Sequence, residues 1–201
     1  MAITKLSNSG IATGGVLKYD SMLAGNAAFI PPAFESIATV SVGSGGASSI
    51  DFTSIPATYS HLQIRAIAQT TGAGQFTKMQ FNNDTTVANY RSHVIYADGS
   101  SVVSNTYTGS IFDGIPIWSN NTGNTANTFS PAIIDILDYA NANKNKTTRS
   151  IDGRENNTIG VLGLMSGLWI NTSAITSIKF TGYSGNFPQY TQFALYGIKA
   201  A

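Results

Sequence analysis

From Phe34 onward the chain is a succession of short runs in which apolar residues recur at every second position, with turns rich in Gly and Asn between them. A period of two sends alternate side chains to opposite faces of an extended strand, so each run buries one face and needs a second layer to cover it. Residues 61–69 show the pattern most cleanly. Leu62, Ile64, Ala66 and Ala68 share one face, His61, Gln63, Arg65 and Gln69 the other, and Ile67 falls out of step. In residues 34–42 the same count groups Phe34, Ser36, Ala38, Val40 and Val42 against Glu35, Thr39 and Ser41. Further strands are expected over 48–54, 76–82, 90–97, 110–118, 128–139, 146–151, 175–183 and 190–198. Turns at 43–46, 82–84, 98–99, 120–123, 152–153 and 184–186 supply the Gly and Asn that tolerate positive φ. About ten short strands at this spacing predict an all-β fold, a jelly-roll-like antiparallel β-sandwich.

The run 159–170, IGVLGLMSGLWI, is the longest apolar stretch; with three glycines it reads as a buried strand or a strand pair. Residues 139–146 could hold a turn or two of helix, although their asparagines favour a loop. The polar tract 118–128 is expected as an exposed loop, mobile or ligand-binding.

Ahead of the β-type region, Met1–Pro32 has apolar residues at no steady period between Gly, Ala and Ser. Such an arm cannot build a core alone. It is expected to dock on a partner through Ile3, Leu6, Ile11, Val16, Leu17, Met22 and Leu23, with residues 33–201 as the displayed domain. At its start only Lys5 precedes an apolar run that Ser7, Asn8, Ser9 and Gly10 interrupt, which does not fit a secretory signal. No stretch approaches the roughly 18 apolar residues of a spanning helix, so membrane insertion is not expected.

The 201 residues include no cysteine, which excludes disulfides and thiolate metal sites. Only 10% are charged, against a usual share of about 25%, and the net charge is +1. That balance carries no electrostatic footprint for nucleic acid. A weakly charged, amide- and hydroxyl-rich surface suits a protein held in an assembly or one that touches carbohydrate.

Catalytic residues are not evident, and neither a cofactor nor a metal is expected. Asp135 and Asp138 would lie on opposite strand faces, and Asp152, Arg154 and Glu155 are expected in a solvated turn. His61 and His93, the two histidines, have no metal-ligand partner at local spacing, and no G-x-S-x-G elbow occurs. Sequons at Asn83, Asn120, Asn145, Asn156 and Asn171 are explained by composition. The aromatics beside polar turns are candidate sugar-stacking residues, chiefly Tyr107, Trp118, Tyr183, Phe187 and Tyr190, with core packing as the alternative.

Residues 50–65, IDFTSIPATYSHLQIR, together with 133–150, 163–180 and 184–198, resemble a β-sandwich domain of tailed-bacteriophage virion proteins of the tail-fibre type. The arm segments ITKLSNSGI and LKYDSMLAGNAAF are similar to the short N-terminal attachment segments of such proteins. The resemblance implies a structural, non-enzymatic component of the virion, a homotrimer. Its partners would be other virion proteins of the tail, baseplate or capsid, and a host surface glycan. A capsid decoration protein or head fibre is the alternative within that class. A glycan depolymerase, which would need a carboxylate pair about 5–9.5 Å apart, is the alternative outside it.

Overall fold

The computed structural model describes residues 33–108, 112–123, 126–156 and 160–199. The expected docking residues Ile3, Leu6, Ile11, Val16, Leu17, Met22 and Leu23 lie outside them. Thirteen strands follow one another along the described chain: β1 (Phe34–Ser41), β2 (Ser49–Phe52), β3 (His61–Thr70), β4 (Phe76–Phe81), β5 (Tyr90–Ala97), β6 (Val102–Thr108), β7 (Ile115–Trp118), β8 (Asn120–Asn121), β9 (Ser130–Leu137), β10 (Lys146–Arg154), β11 (Val161–Trp169), β12 (Ile178–Gly182) and β13 (Gln192–Ile198). No α-helix occurs among the described residues, where one 3-10 turn at Val87–Asn89 is the nearest approach. The fold is the expected all-β sandwich of two antiparallel sheets.

The larger sheet has the order β1-β13-β3-β9-β10-β11-β5-β6, with the short β8 pairing parallel to β3. The smaller has the order β2-β12-β4-β7. Alternation decides what lies between them. Leu62 and Ile64 of β3, Ile134 and Ile136 of β9, and Phe193 and Leu195 of β13 point inward and meet Ile50, Met79, Phe81, Ile178 and Phe180 of the smaller sheet. Phe180 contacts Phe193 across the layers at 4.3 Å between ring centres, and Phe81 meets Trp169 at 5.5 Å. Tyr139 is fully buried and donates its hydroxyl to the Pro56 carbonyl.

Turn chemistry sets the ends of the strands. Asn82 and Asn83 take φ of 50° and 56° after β4, and Asn82 Oδ1 accepts from Thr176 N at 2.9 Å and Ser177 N at 3.1 Å. The loop leading into β10 is held from inside by Lys146. Its ammonium is fully buried and donates to the carbonyls of Asn141, Lys144 and Thr172 at 2.6, 2.6 and 2.9 Å.

Four expectations need correction. In β1 the register slips between Ser36 and Ala38, so Phe34 and Ser36 do not share a face with Ala38 and Val40. A bulge adds one residue to one strand and reverses the parity beyond it. Phe34 consequently lies outward, stacked on Tyr196 at 4.9 Å. Second, 152–153 is no turn, because β10 runs on to Arg154 and buries both Asp152 and Arg154. Gly153 is needed there for close approach, since a Cβ would stand 2.6 Å from the Val161 carbonyl oxygen.

Third, the tract after Trp118 begins inside the protein. Ser119, Asn120 and Asn121 are buried, Asn120 and Asn121 form β8, and Asn120 N donates to Ser130 Oγ at 2.7 Å. Fourth, 159–170 yields the single strand β11, which is half-buried rather than wholly so, with Leu162 and Leu164 facing out.

Candidate functional site

Strands β9, β10 and β11, at the centre of the larger sheet, all carry aliphatic residues on the outer face, and β10 turns its polar ones inward. The inward positions of β10 are Lys146, Thr148, Ser150, Asp152 and Arg154, all buried. Those of β11 include Gly163 and Gly167, where a Cβ would come within 3.0 Å of the Trp118 ring and 2.4 Å of Thr148 Oγ1 respectively. The small, polar lane beneath the sheet therefore leaves little room for aliphatic side chains. They stand outside instead.

On the outer face Ile67, Ile95, Val102, Ile133, Ile151, Leu162 and Leu164 are between 42% and 72% exposed. Cross-strand register binds them into one belt, in which Ile133 pairs with Ile151, Ile151 with Leu164 and Leu164 with Ile95. Two residues further along, on the same face, the row runs Pro131, Gly153, Leu162, Ala97, Val102. On the other side of the belt lies a polar row in which Asp135 pairs with Arg149, Arg149 with Ser166 and Ser166 with His93. Gln63 Nε2 donates to Asp135 Oδ1 at 2.9 Å, while Arg149 forms no ion pair among the described residues.

The belt is not flat. A depression of about 460 Å³ opens over Pro131, Ile133, Ile151, Gly153 and Leu162. A second, of about 400 Å³, opens over His93, Ile95, Arg149, Leu164 and Ser166. The registered pair Ile151 and Leu164 stands between the two.

Under the belt, burial pushes the Asp152 carboxyl up to about 7, against the opposing hydrogen bonds from Ser150 Oγ at 3.2 Å and Trp118 N at 3.4 Å. Its Oδ1 has no hydrogen-bond partner among the described residues, and neither do Trp118 Nε1 or Nε and Nη1 of Arg154. Burial also lowers the Arg154 pKa, with the Glu155 carboxylate opposing it, and the guanidinium lies 5.7 Å from the centre of the Trp118 ring. Asp152 and Arg154 are thus buried polar groups with unpaired atoms, and both border the larger depression.

The candidate sugar-stacking residues divide. Phe187 is fully buried and packs on Phe193 at 5.7 Å, and Trp118 is buried between Phe76 at 4.3 Å and Tyr96 at 5.4 Å. Neither ring presents a face to a ligand: β7 is buried along its whole length, and Phe187, in an isolated bridge to Ala47, is packed inside. Tyr107 is half-buried on Phe76 and Phe112. Tyr183 and Tyr190 are exposed, Tyr190 from a residue at φ 74°. Among the remaining groups, Asp138 sits past the end of β9 at φ 49°, 2.6 Å from Lys144 Nζ and 3.7 Å from His61 Nδ1. No cluster of His, Cys, Asp and Glu that could hold a metal ion occurs among the described residues.

Sequence reasoning missed the outer belt because both parities of β9 and β11 are apolar. In VLGLMSGLW the odd positions offer Val161, Met165 and Trp169 and the even positions Leu162, Leu164 and Leu168. The one available signal was that glycine holds two of the odd positions, so the bulkier set lay on the even face. No protein-family description matches the chain, and no curated protein matches it.

Proposed function

We propose that this chain is a structural protein of a tailed-bacteriophage virion, a tail-fibre or receptor-binding component that works by docking and display rather than by catalysis. The observation that supports a docking role is the belt of seven exposed aliphatic side chains over a polar, glycine-bearing lane. A chain that placed its burial by interior needs alone would put the leucines and isoleucines of β10 and β11 inward. Exposed aliphatic patches of this extent mark interaction surfaces. The assignment to a virion rests on the resemblance of residues 50–65, 133–150, 163–180 and 184–198 to phage fibre domains. Tyr183 and Tyr190 are the exposed rings of the candidate set that remain available to a host glycan.

Immunogold labelling of intact particles with antibody to residues 33–201 tests this reading. Gold at the tail or baseplate is the expected result. Gold spread over the capsid would move the protein to a decoration role, and unlabelled particles would refute the virion assignment altogether.

A further inference from the structure

We propose that the outer face of the larger sheet is covered by the same face of a second copy of this chain, about a two-fold axis running along the strands midway between β10 and β11. The inference rests on the docking role of that face and names its partner.

The area is sufficient. The seven aliphatic side chains leave on the order of 600 Å² open, at the upper end for the largest patch on a monomer. With the polar row of Gln63, Asp135, Arg149 and His93 the face approaches the roughly 800 Å² per partner of a stable interface. The chemistry is aliphatic throughout the belt, with no aromatic ring for a sugar. Sheets stack face to face at about 10 Å through side chains of this kind.

The register points to a copy of itself. Rotation about an axis parallel to the strands keeps each cross-strand row at its level and reverses its order. The row Ile133, Ile151, Leu164, Ile95 then lies over Ile95, Leu164, Ile151, Ile133 of the second copy, apolar on apolar at every position. The row Pro131, Gly153, Leu162, Ala97 lies over its own reverse, so Leu162, more exposed than Leu164, projects over Gly153 of the second copy, on the floor of the larger depression. The row Asp135, Arg149, Ser166, His93 does likewise, and places Asp135 opposite His93 twice. Aligned packing near 30° displaces the outermost pairs and keeps the central ones.

A three-fold ring is disfavoured by the same face. Its contacts are heterologous and need two different complementary surfaces on each copy, whereas a two-fold contact uses one patch twice. The described residues expose one aliphatic belt.

Sedimentation velocity on the full chain at micromolar concentration is the test. The expected result is a two-copy mass that falls to one copy in Leu164→Lys with unchanged far-UV circular dichroism. Burying an unpaired ammonium opposite Ile151 should raise the dissociation constant at least about 100-fold. Orientation is read with His93→Cys/Asp135→Cys, which is clean because the chain has no cysteine of its own. Within one copy these positions are three strands apart, about 14 Å, beyond the reach of a short bismaleimide. The reagent should therefore link two copies in the double variant and in neither single one. A one-copy or three-copy mass for the unsubstituted chain, a two-copy species that survives Leu164→Lys, or a double variant that does not cross-link would each overturn the pairing. None of these results bears on where gold falls on a particle, so the two proposals fail separately.

Discussion

Replacing Asp152 by Asn should stabilise this protein at neutral and alkaline pH and do little at pH 4. The carboxyl is 3% exposed, has one oxygen without a partner, and forms no ion pair with Arg154 among the described residues. Burial carries its pKa from 3.8 to about 7. Between those values the folded chain holds a proton that the unfolded chain has released, so stability falls as pH rises through the window. At about 1.4 kcal/mol for each tenfold change the full cost would be roughly 4 kcal/mol above pH 7. Relaxation and water entry reduce it, and about 2–4 kcal/mol is the working figure. Asn keeps the shape and an acceptor for Ser150 and Trp118 and removes the charge. For a chain of this size the gain at pH 8 corresponds to a rise in Tm of roughly 5–15 °C. Thermal unfolding followed by circular dichroism from pH 4 to pH 8 reads it directly. Parallel curves for the parent and the variant across that range would refute the argument, because they would mean that Asp152 titrates near its ordinary value.

Two further outcomes follow from buried polar contacts. Lys146→Ala removes the ammonium that holds the carbonyls of Asn141, Lys144 and Thr172; a loss of about 1–3 kcal/mol in urea unfolding is expected. Below pH 4 the sign of the pH dependence reverses at Asp84. Burial there favours the neutral acid, but donors from Trp169 Nε1, Asn89 Nδ2 and Thr86 N outweigh it and hold the pKa at about 2. Its stabilisation is complete above the unfolded pKa near 4 and lost as pH falls towards 2, about 1–2 kcal/mol that Asp84→Asn should remove from an acid titration of stability.

Much of the sandwich is legible in the sequence wherever one parity is apolar and the other polar. β5 follows its alternation and β3 does so as far as Ala68: Ile67, apolar among polar neighbours, keeps the outward parity and is half-exposed, while Gln69, expected outward, is buried. Legibility fails where a glycine serves packing rather than turning. Gly153 sits mid-strand so that β11 can pass close, yet Asp-Gly reads as a hairpin, and the buried Asp152 and Arg154 are misplaced with it. It fails again at β6, whose Ser, Asn and Thr give no apolar face, and which is a strand because the Asp98 carboxylate closes the preceding turn on Ser100 N and Ser101 N at 2.9 and 2.8 Å. The outer belt was the hardest to see. Deciding which of two apolar parities faces out requires knowing what the opposite layer can accommodate, and that depends on Trp118 and Ile115 of a strand in the other sheet.

The arrangement at Lys146 has a consequence for the conditions the fold tolerates. Three carbonyl oxygens converging on one positive centre are what loop-rich proteins commonly reserve for a captured calcium or sodium ion. Here the cation arrives on the chain itself, at fixed stoichiometry and with no dissociation constant. The loops before β10 and β12 are thus fastened independently of the ionic composition outside, and chelation, dilution or a change of medium has nothing to extract from them.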